Sequence, residues 1–191
     1  MRKNVICLLG PSGVGKSFYA KLLVKEFNFA RPKTITTRKA RSDDDNHIYV
    51  SKEEFFRMIR EDELLEWDEY SGNFYGIMSD DFRDLLQDEK NNGIVMDLTL
   101  EGFHKVKEAC KKAVAIALLP DDFSWLSKRL IDRGSNDKTE IEKRVKISRK
   151  EAGEILKMQV PIIHCNFDPE NTKEVLEKII RITKEQPDGC I

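Results

Sequence analysis

Residues 10–17 read Gly-Pro-Ser-Gly-Val-Gly-Lys-Ser. They lie between an apolar run, Asn4-Val5-Ile6-Cys7-Leu8-Leu9, and a stretch in which Phe18, Leu22, Leu23 and Phe27 recur at helical spacing. A buried strand, a glycine loop and a helix N-terminus in that order point to an α/β fold built around a phosphate-wrapping loop. Gly10, Gly13 and Gly15 carry no Cβ, so the backbone can pass through positive φ and turn several N–H groups toward one anion. Pro11, Ser12 and Val14 complete the loop. Lys16 is placed to reach the outer phosphates, and the Ser17 hydroxyl is the candidate ligand for Mg²⁺. The competing reading is a glycine-rich turn that only joins strand to helix. Agreement of every fixed position and both flanks weighs against it.

The 191 residues are 40% hydrophobic and 35% charged, enough for one well-buried core with a smaller lobe inserted in it. Lys and Arg number 33 against 34 Asp and Glu, so no global field favours nucleic acid or an anionic membrane, and an anion site must be local. No apolar run approaches a membrane span, and the one after Met1-Arg2-Lys3 is too short for a signal peptide, so a cytoplasmic address is expected. Cys7, Cys110, Cys165 and Cys190 form no CxxC pair and read as buried free thiols. His47, His104 and His164 are scattered, which argues against a metal cage made by protein side chains alone. A Mg²⁺ ion held mainly by nucleotide phosphates needs little from the chain.

Helical and strand-like segments alternate, predicting a parallel sheet flanked by crossover helices. From Arg31 to Ser51 the helical period is lost. Ser51-Lys52-Glu53-Glu54 then has a capping-box pattern opening a helix, Leu64-Leu65-Glu66-Trp67 reads as a short strand, and a Gly72-Asn73 turn precedes Phe74 and Tyr75. The block 32–77 is the candidate substrate lobe, inserted in a core of about 1–31 and 78–191, all within one domain spanning 1–191. Core elements expected after it are a helix capped by Ser79 and ending near Gly93, a strand Ile94–Leu98 with Asp97 near its carboxyl end, and a helix of about 101–112. A strand Ala113–Leu119, a helix Asp121–Arg133, a strand Ile162–Cys165 and a closing helix Asn171–Lys184 complete the order. A polar stretch from Gly134, within about 134–144, reads as a mobile lid between arginine-bearing helices.

Phosphoryl transfer asks for positive charge around the moving group and for exclusion of water. Arg38 and Arg41 lie close together in the polar segment Thr36-Thr37-Arg38-Lys39-Ala40-Arg41, and guanidinium forks suit an acceptor phosphate. Arg129 and Arg133 are one helical turn apart, with Arg144 across the lid; a solvated helix face is their ordinary alternative. Glu66 is an acid in an apolar setting that can accept from N1–H and the 2-amino group of a guanine edge, or can face water on an edge strand. Tyr49 and Tyr75 can each donate a phenolic hydroxyl or anchor the lobe's small core.

With these pieces in order, the chain resembles the guanylate kinase family from Val5 to Thr183. The matching segments are Gly10–Ser17, Thr36–Arg41, Tyr49-Val-Ser-Lys-Glu-Glu-Phe55, Leu65-Glu-Trp67, Ser71-Gly-Asn-Phe-Tyr-Gly76, Arg129-Leu-Ile-Asp-Arg-Gly134 and Lys143-Arg144. The resemblance implies a parallel-sheet kinase core with an inserted GMP-binding lobe and a lid. It also implies ATP and Mg²⁺ as cofactors, and small-molecule partners rather than nucleic acid or membrane. It carries Thr34, Arg38, Arg41, Tyr49, Glu66, Tyr75 and Asp97 over as substrate-binding residues. Lys16, Arg133 and Arg144 become catalytic residues, and Asn166 joins residues 10–17 on the ATP side.

Two positions depart from the family pattern. Ile77 stands where a hydroxyl residue usually donates to the guanine 6-oxo group, and Thr99 replaces the second acid of an Asp-x-Asp strand end. Beside ATP-dependent phosphorylation of GMP or dGMP, two alternatives stand: a kinase with an altered acceptor, and a non-catalytic interaction module.

Overall fold

In the computed structural model, residues 3–40, 46–70, 72–126, 138–166 and 168–185 are described. The described residues form two four-stranded sheets. The first contains β1 (Asn4–Leu9), β6 (Gly93–Asp97), β7 (Val114–Pro120) and β8 (Ile162–Cys165), in the order β6-β1-β7-β8 with every neighbouring pair parallel.

Its strands are apolar on both faces because both faces are covered, as parallel crossovers require. Val5, Cys7 and Leu9 pack with Phe82, Phe103, Val106, Ala152 and Ile155 on one side, while Ile6 and Leu8 pack with Tyr19, Leu23, Val175 and Ile179 on the other. The covering helices are α3 (Ser79–Gln87), α4 (Leu100–Ala109) and α5 (Lys138–Ile155) against the first face. Against the second lie α1 (Lys16–Phe27) and α6 (Pro169–Glu185). The fold is therefore the α/β class expected, a parallel sheet between helices.

The second sheet holds β2 (Thr34–Thr36), β3 (His47–Tyr49), β4 (Leu64–Tyr70) and β5 (Asn73–Met78), in the order β3-β2-β5-β4. One face packs on α2 (Lys52–Arg60) through Ile35, Phe55 and Leu64 with Met58, Ile59, Trp67, Phe74 and Met78. Phe74 is the centre of this small core, with ring centroids 4.9 Å from Phe56 and 5.6 Å from Phe55. Ser51 caps α2 as expected, its hydroxyl accepting from the Glu54 N–H at 3.1 Å.

Several boundaries differ from the expectation. The α3 N-cap is Met78 rather than Ser79, and the helix stops at Gln87; the buried Lys3 ammonium donates to the carbonyls of Leu85 and Asp88 and so serves its C-terminus. Helix α6 begins at Pro169, two residues before the expected start at Asn171, whose side chain accepts from the Asn166 N–H at 2.8 Å. Residues 138–144, placed in the expected lid, are helical, whereas residues 134–137 lie outside the described set. Cys7 and Cys165 are buried thiols, as expected, but Cys110 is disulfide-bonded. No described helix is long and apolar enough to cross a membrane, and no cluster of metal-binding side chains occurs among the described residues.

Candidate active site

Because the first sheet is parallel, the carboxyl ends of its strands share one edge, where ligands of doubly wound sheets bind. Gly10 leaves β1 with φ 144°, and a Cβ there would lie 2.2 Å from the Leu118 carbonyl oxygen of β7, so only glycine lets the two strands meet. Gly13 and Gly15 also have positive φ, 87° and 108°. Gly15 is the N-cap of α1 and no side chain caps that helix, which leaves an N-terminus suited to an anion. The Lys16 ammonium donates to the carbonyls of Gly10 and Pro11, following the curve of the loop. Fully buried Val14 pins the loop to the core.

Asp97 ends β6 beside this loop. Its Oδ2 accepts from the Ser17 hydroxyl at 2.6 Å, and its Oδ1 accepts from the Arg31 guanidinium at 2.5 Å. Burial alone would raise this carboxyl, but the Arg31 charge, the Ser17 hydroxyl and Lys16 outweigh it and hold the pKa below the ordinary value. Across the loop, the Ser12 N–H donates to Glu151 of α5, an acid drawn toward Lys16 yet shifted upward by burial. Asn166, at the end of β8, donates to Asp121 at 2.9 Å.

The face of the second sheet opposite α2 is defined by register. Glu66 pairs with Ile77, Ile77 with Thr34 and Thr34 with His47; two residues along, Asp68 pairs with Tyr75, Tyr75 with Thr36 and Thr36 with Tyr49. Directly paired residues share a face, so these two rows lie side by side. Glu66 is 6% exposed and meets no hydrogen-bond donor among the described residues. Burial, reinforced by Asp68 and Asp97 and opposed by Lys105, pushes its pKa up to about 8. Its Oε2 lies against the first turn of α4, where a Cβ at Gly102 would come within 2.6 Å. Lys105, one turn further along that helix, donates to the Trp67 carbonyl at 2.5 Å and sits 4.5 Å over the Trp67 ring.

The structure thus brings residues 10–17, Asp97 and Asn166 to one edge, and Thr34, Tyr49, Glu66 and Tyr75 to one face. Arg38 follows β2, its backbone N–H donating to the buried Thr36 hydroxyl at 3.1 Å. Arg144 belongs to α5. Arg41, Arg129 and Arg133 lie outside the described residues. Thr99 caps α4, its hydroxyl accepting from the Gly102 N–H at 3.1 Å, and Ile77 is 4% exposed within the main core. Sequence reading missed Arg31, Glu151, Asp68 and Lys105. Arg31, Glu151 and Lys105 owe their places to partners distant in the chain, 66 residues for Arg31 and Asp97, and no local motif marks such pairs.

A glycine loop on a parallel sheet edge, with a second sheet offering hydroxyls beside a buried acid, is the architecture of a nucleotide-binding phosphotransferase. The chain belongs to the guanylate kinase family, whose model matches residues 2–185. It is therefore an enzyme, a kinase acting on small nucleotides. Similar proteins include the guanylate kinases of Clostridioides difficile strain 630, 32% identical over 97% of this chain and 91% of the relative, and of Synechococcus sp. strain JA-3-3Ab, 31% identical over 87% and 78%. The crystal structure of guanylate kinase from Anaplasma phagocytophilum shares the fold, with a TM-score of 0.73 at 24% identity over 96% of this chain and 85% of that one.

Proposed function

We propose that the protein transfers the γ-phosphoryl group of ATP to GMP or dGMP, with the triphosphate on the glycine loop and the acceptor at the face of the second sheet opposite α2. The observation that carries this reading is the pair of neighbouring rows on that face. One holds the buried acid Glu66 and the next holds Tyr49, Thr36 and Tyr75, about 7 Å apart along the strands. A nucleotide monophosphate has the same polarity, a base edge rich in donors at one end and a phosphate at the other. The Glu66 carboxylate accepts from N1–H and the 2-amino group, which guanine offers together. Tyr49, Tyr75, Arg38 and Arg41 hold the acceptor phosphate so that its oxygen faces the donor in line, and Thr34 lies in the Glu66 row at the base end.

On the donor side the loop N–H groups and Lys16 bind the triphosphate, and Asn166 contributes beside the adenine. The Ser17 hydroxyl donates its proton to Asp97, leaving its lone pairs for a cation, so this donor set fits Mg²⁺. Mg²⁺ there supplies neutralisation of the donor phosphates. Lys16, Arg133 and Arg144 offset the charge that spreads over the transferred group, and the chain supplies no covalent chemistry of its own. The reaction is intracellular, in the cytoplasm where both nucleotides occur.

A coupled assay of ADP formation with ATP, Mg²⁺ and GMP, dGMP, AMP, UMP or CMP tests the reading. GMP and dGMP are expected to be used at least a hundredfold better than AMP, in kcat/KM. Turnover of AMP equal to that of GMP refutes the acceptor assignment.

A further inference from the structure

Arg31 lies at the point where the chain leaves the core for the second sheet. Just before it, Ala30 is fixed to the edge of β6: its N–H donates to the Gly93 carbonyl at 2.8 Å and its own carbonyl accepts from the Val95 N–H at 2.9 Å. Just after it, the Pro32 carbonyl accepts from the Asn46 side chain and the Lys33 N–H donates to Asp81, both at 2.7 Å. The backbone at Arg31 is therefore held from both sides. Its side chain, 7% exposed, turns to Asp97, whose side chain is 17% exposed and whose second oxygen takes the Ser17 proton.

Building on the donor-site reading above, we propose that Arg31 is a positioning residue. It holds Asp97 in the orientation that takes the Ser17 hydroxyl proton and leaves the Ser17 lone pairs to a divalent cation.

The surrounding charges explain why a clamp is needed. Lys16 is a second cation acting on Asp97. Without Arg31 on Oδ1, the carboxylate is free to turn away from Ser17 toward that ammonium, which releases the Ser17 proton. Stability is a weak reason for a buried ion pair, since an apolar pair of equal volume often serves the fold as well. The Arg31 Nε–H is also buried and without a partner among the described residues, so the guanidinium is not placed where the fold alone satisfies it best. Groups that orient a metal ligand without touching the metal typically govern metal affinity by tenfold or more.

The test compares the full chain with Arg31→Gln and Arg31→Lys. Binding of a non-hydrolysable ATP analogue is measured by calorimetry with Mg²⁺ and with the metal chelated, beside the KM for GMP. The expected result is that the gain in analogue affinity on adding Mg²⁺ shrinks about tenfold in Arg31→Gln. Metal-free affinity and the KM for GMP stay within about twofold of the parent, and Arg31→Lys recovers part of the gain. An undiminished Mg²⁺ gain in Arg31→Gln overturns the proposal, as does equal weakening with and without metal, which assigns Arg31 to general support of the fold. If Arg31→Gln does not fold, Arg31→Lys decides by the same measurement, a smaller gain supporting the proposal and an unchanged one overturning it. A parent protein that shows no Mg²⁺ gain refutes the donor-site reading itself.

Discussion

Folding and acceptor binding make opposite demands on the Glu66 carboxyl. Burial raises its pKa from 4.5 to about 8, so between those values the folded chain holds a proton that the unfolded chain has released. Proton release by the unfolded state favours unfolding as pH rises through this window, and the destabilisation reaches its full extent above about 8. Glu66→Gln removes the titration. It is expected to stabilise the fold by roughly 3 kcal/mol at pH 7 and by little at pH 4, read from denaturant titrations at both values. Guanine needs the ionised form, so the KM for GMP is expected to fall by up to about tenfold per pH unit on approaching pH 8 and to level off above it. The same substitution is expected to lower kcat/KM for GMP by at least about a hundredfold, because two charge-assisted bonds are lost. A KM that is flat from pH 6.5 to 8.5 contradicts the assignment of Glu66 to the base.

At the scale of elements, α4 illustrates how a residue that departs from a family pattern acquires a local duty. Thr99 sits at the N-cap with extended backbone, φ −76° and ψ 171°, and its hydroxyl satisfies the Gly102 N–H. Thr99→Ala is expected to cost about 1 kcal/mol in chemical denaturation, the usual price of losing such a cap. Helix starts were legible in the sequence where a cap acts locally, as at Ser51. At Ser79 a suitable side chain was present, but the helix begins at that residue itself, and no signal in the neighbouring residues separates the two outcomes. Strands β2 and β3 were hidden for a different reason. Each is only three residues long, and His47, Ile48 and Tyr49 alternate without a buried face, so pairing is imposed by the neighbouring strand, β5 on β2 and β2 on β3, and not by their own pattern.

For the whole molecule, the two sheets meet where α4 packs against β4, and Lys105 crosses that seam to Trp67. Lys105→Ala is expected to destabilise by about 1–2 kcal/mol in thermal or denaturant unfolding. It removes the charge that opposes the upward shift of Glu66, so the pH at which GMP binding levels off is expected to move above 8. An unmoved pH profile with lowered stability leaves Lys105 a purely structural bridge. The α/β class, the glycine loop and the strand carrying Asp97 were readable because each is encoded within a dozen neighbouring residues. The Arg31–Asp97–Ser17 chain and the two neighbouring rows of the second sheet were not, since register and ion pairing join segments that no sequence window contains together. Ile77 belongs to both systems at once, paired with Glu66 in the sheet and packed with Val5, Cys7 and Leu9 in the core. In evolutionary terms, a lineage cannot adjust base selectivity at this position in isolation: a polar variant that gains a contact to the base opens a gap in the core, so neighbouring packing changes must precede or accompany it.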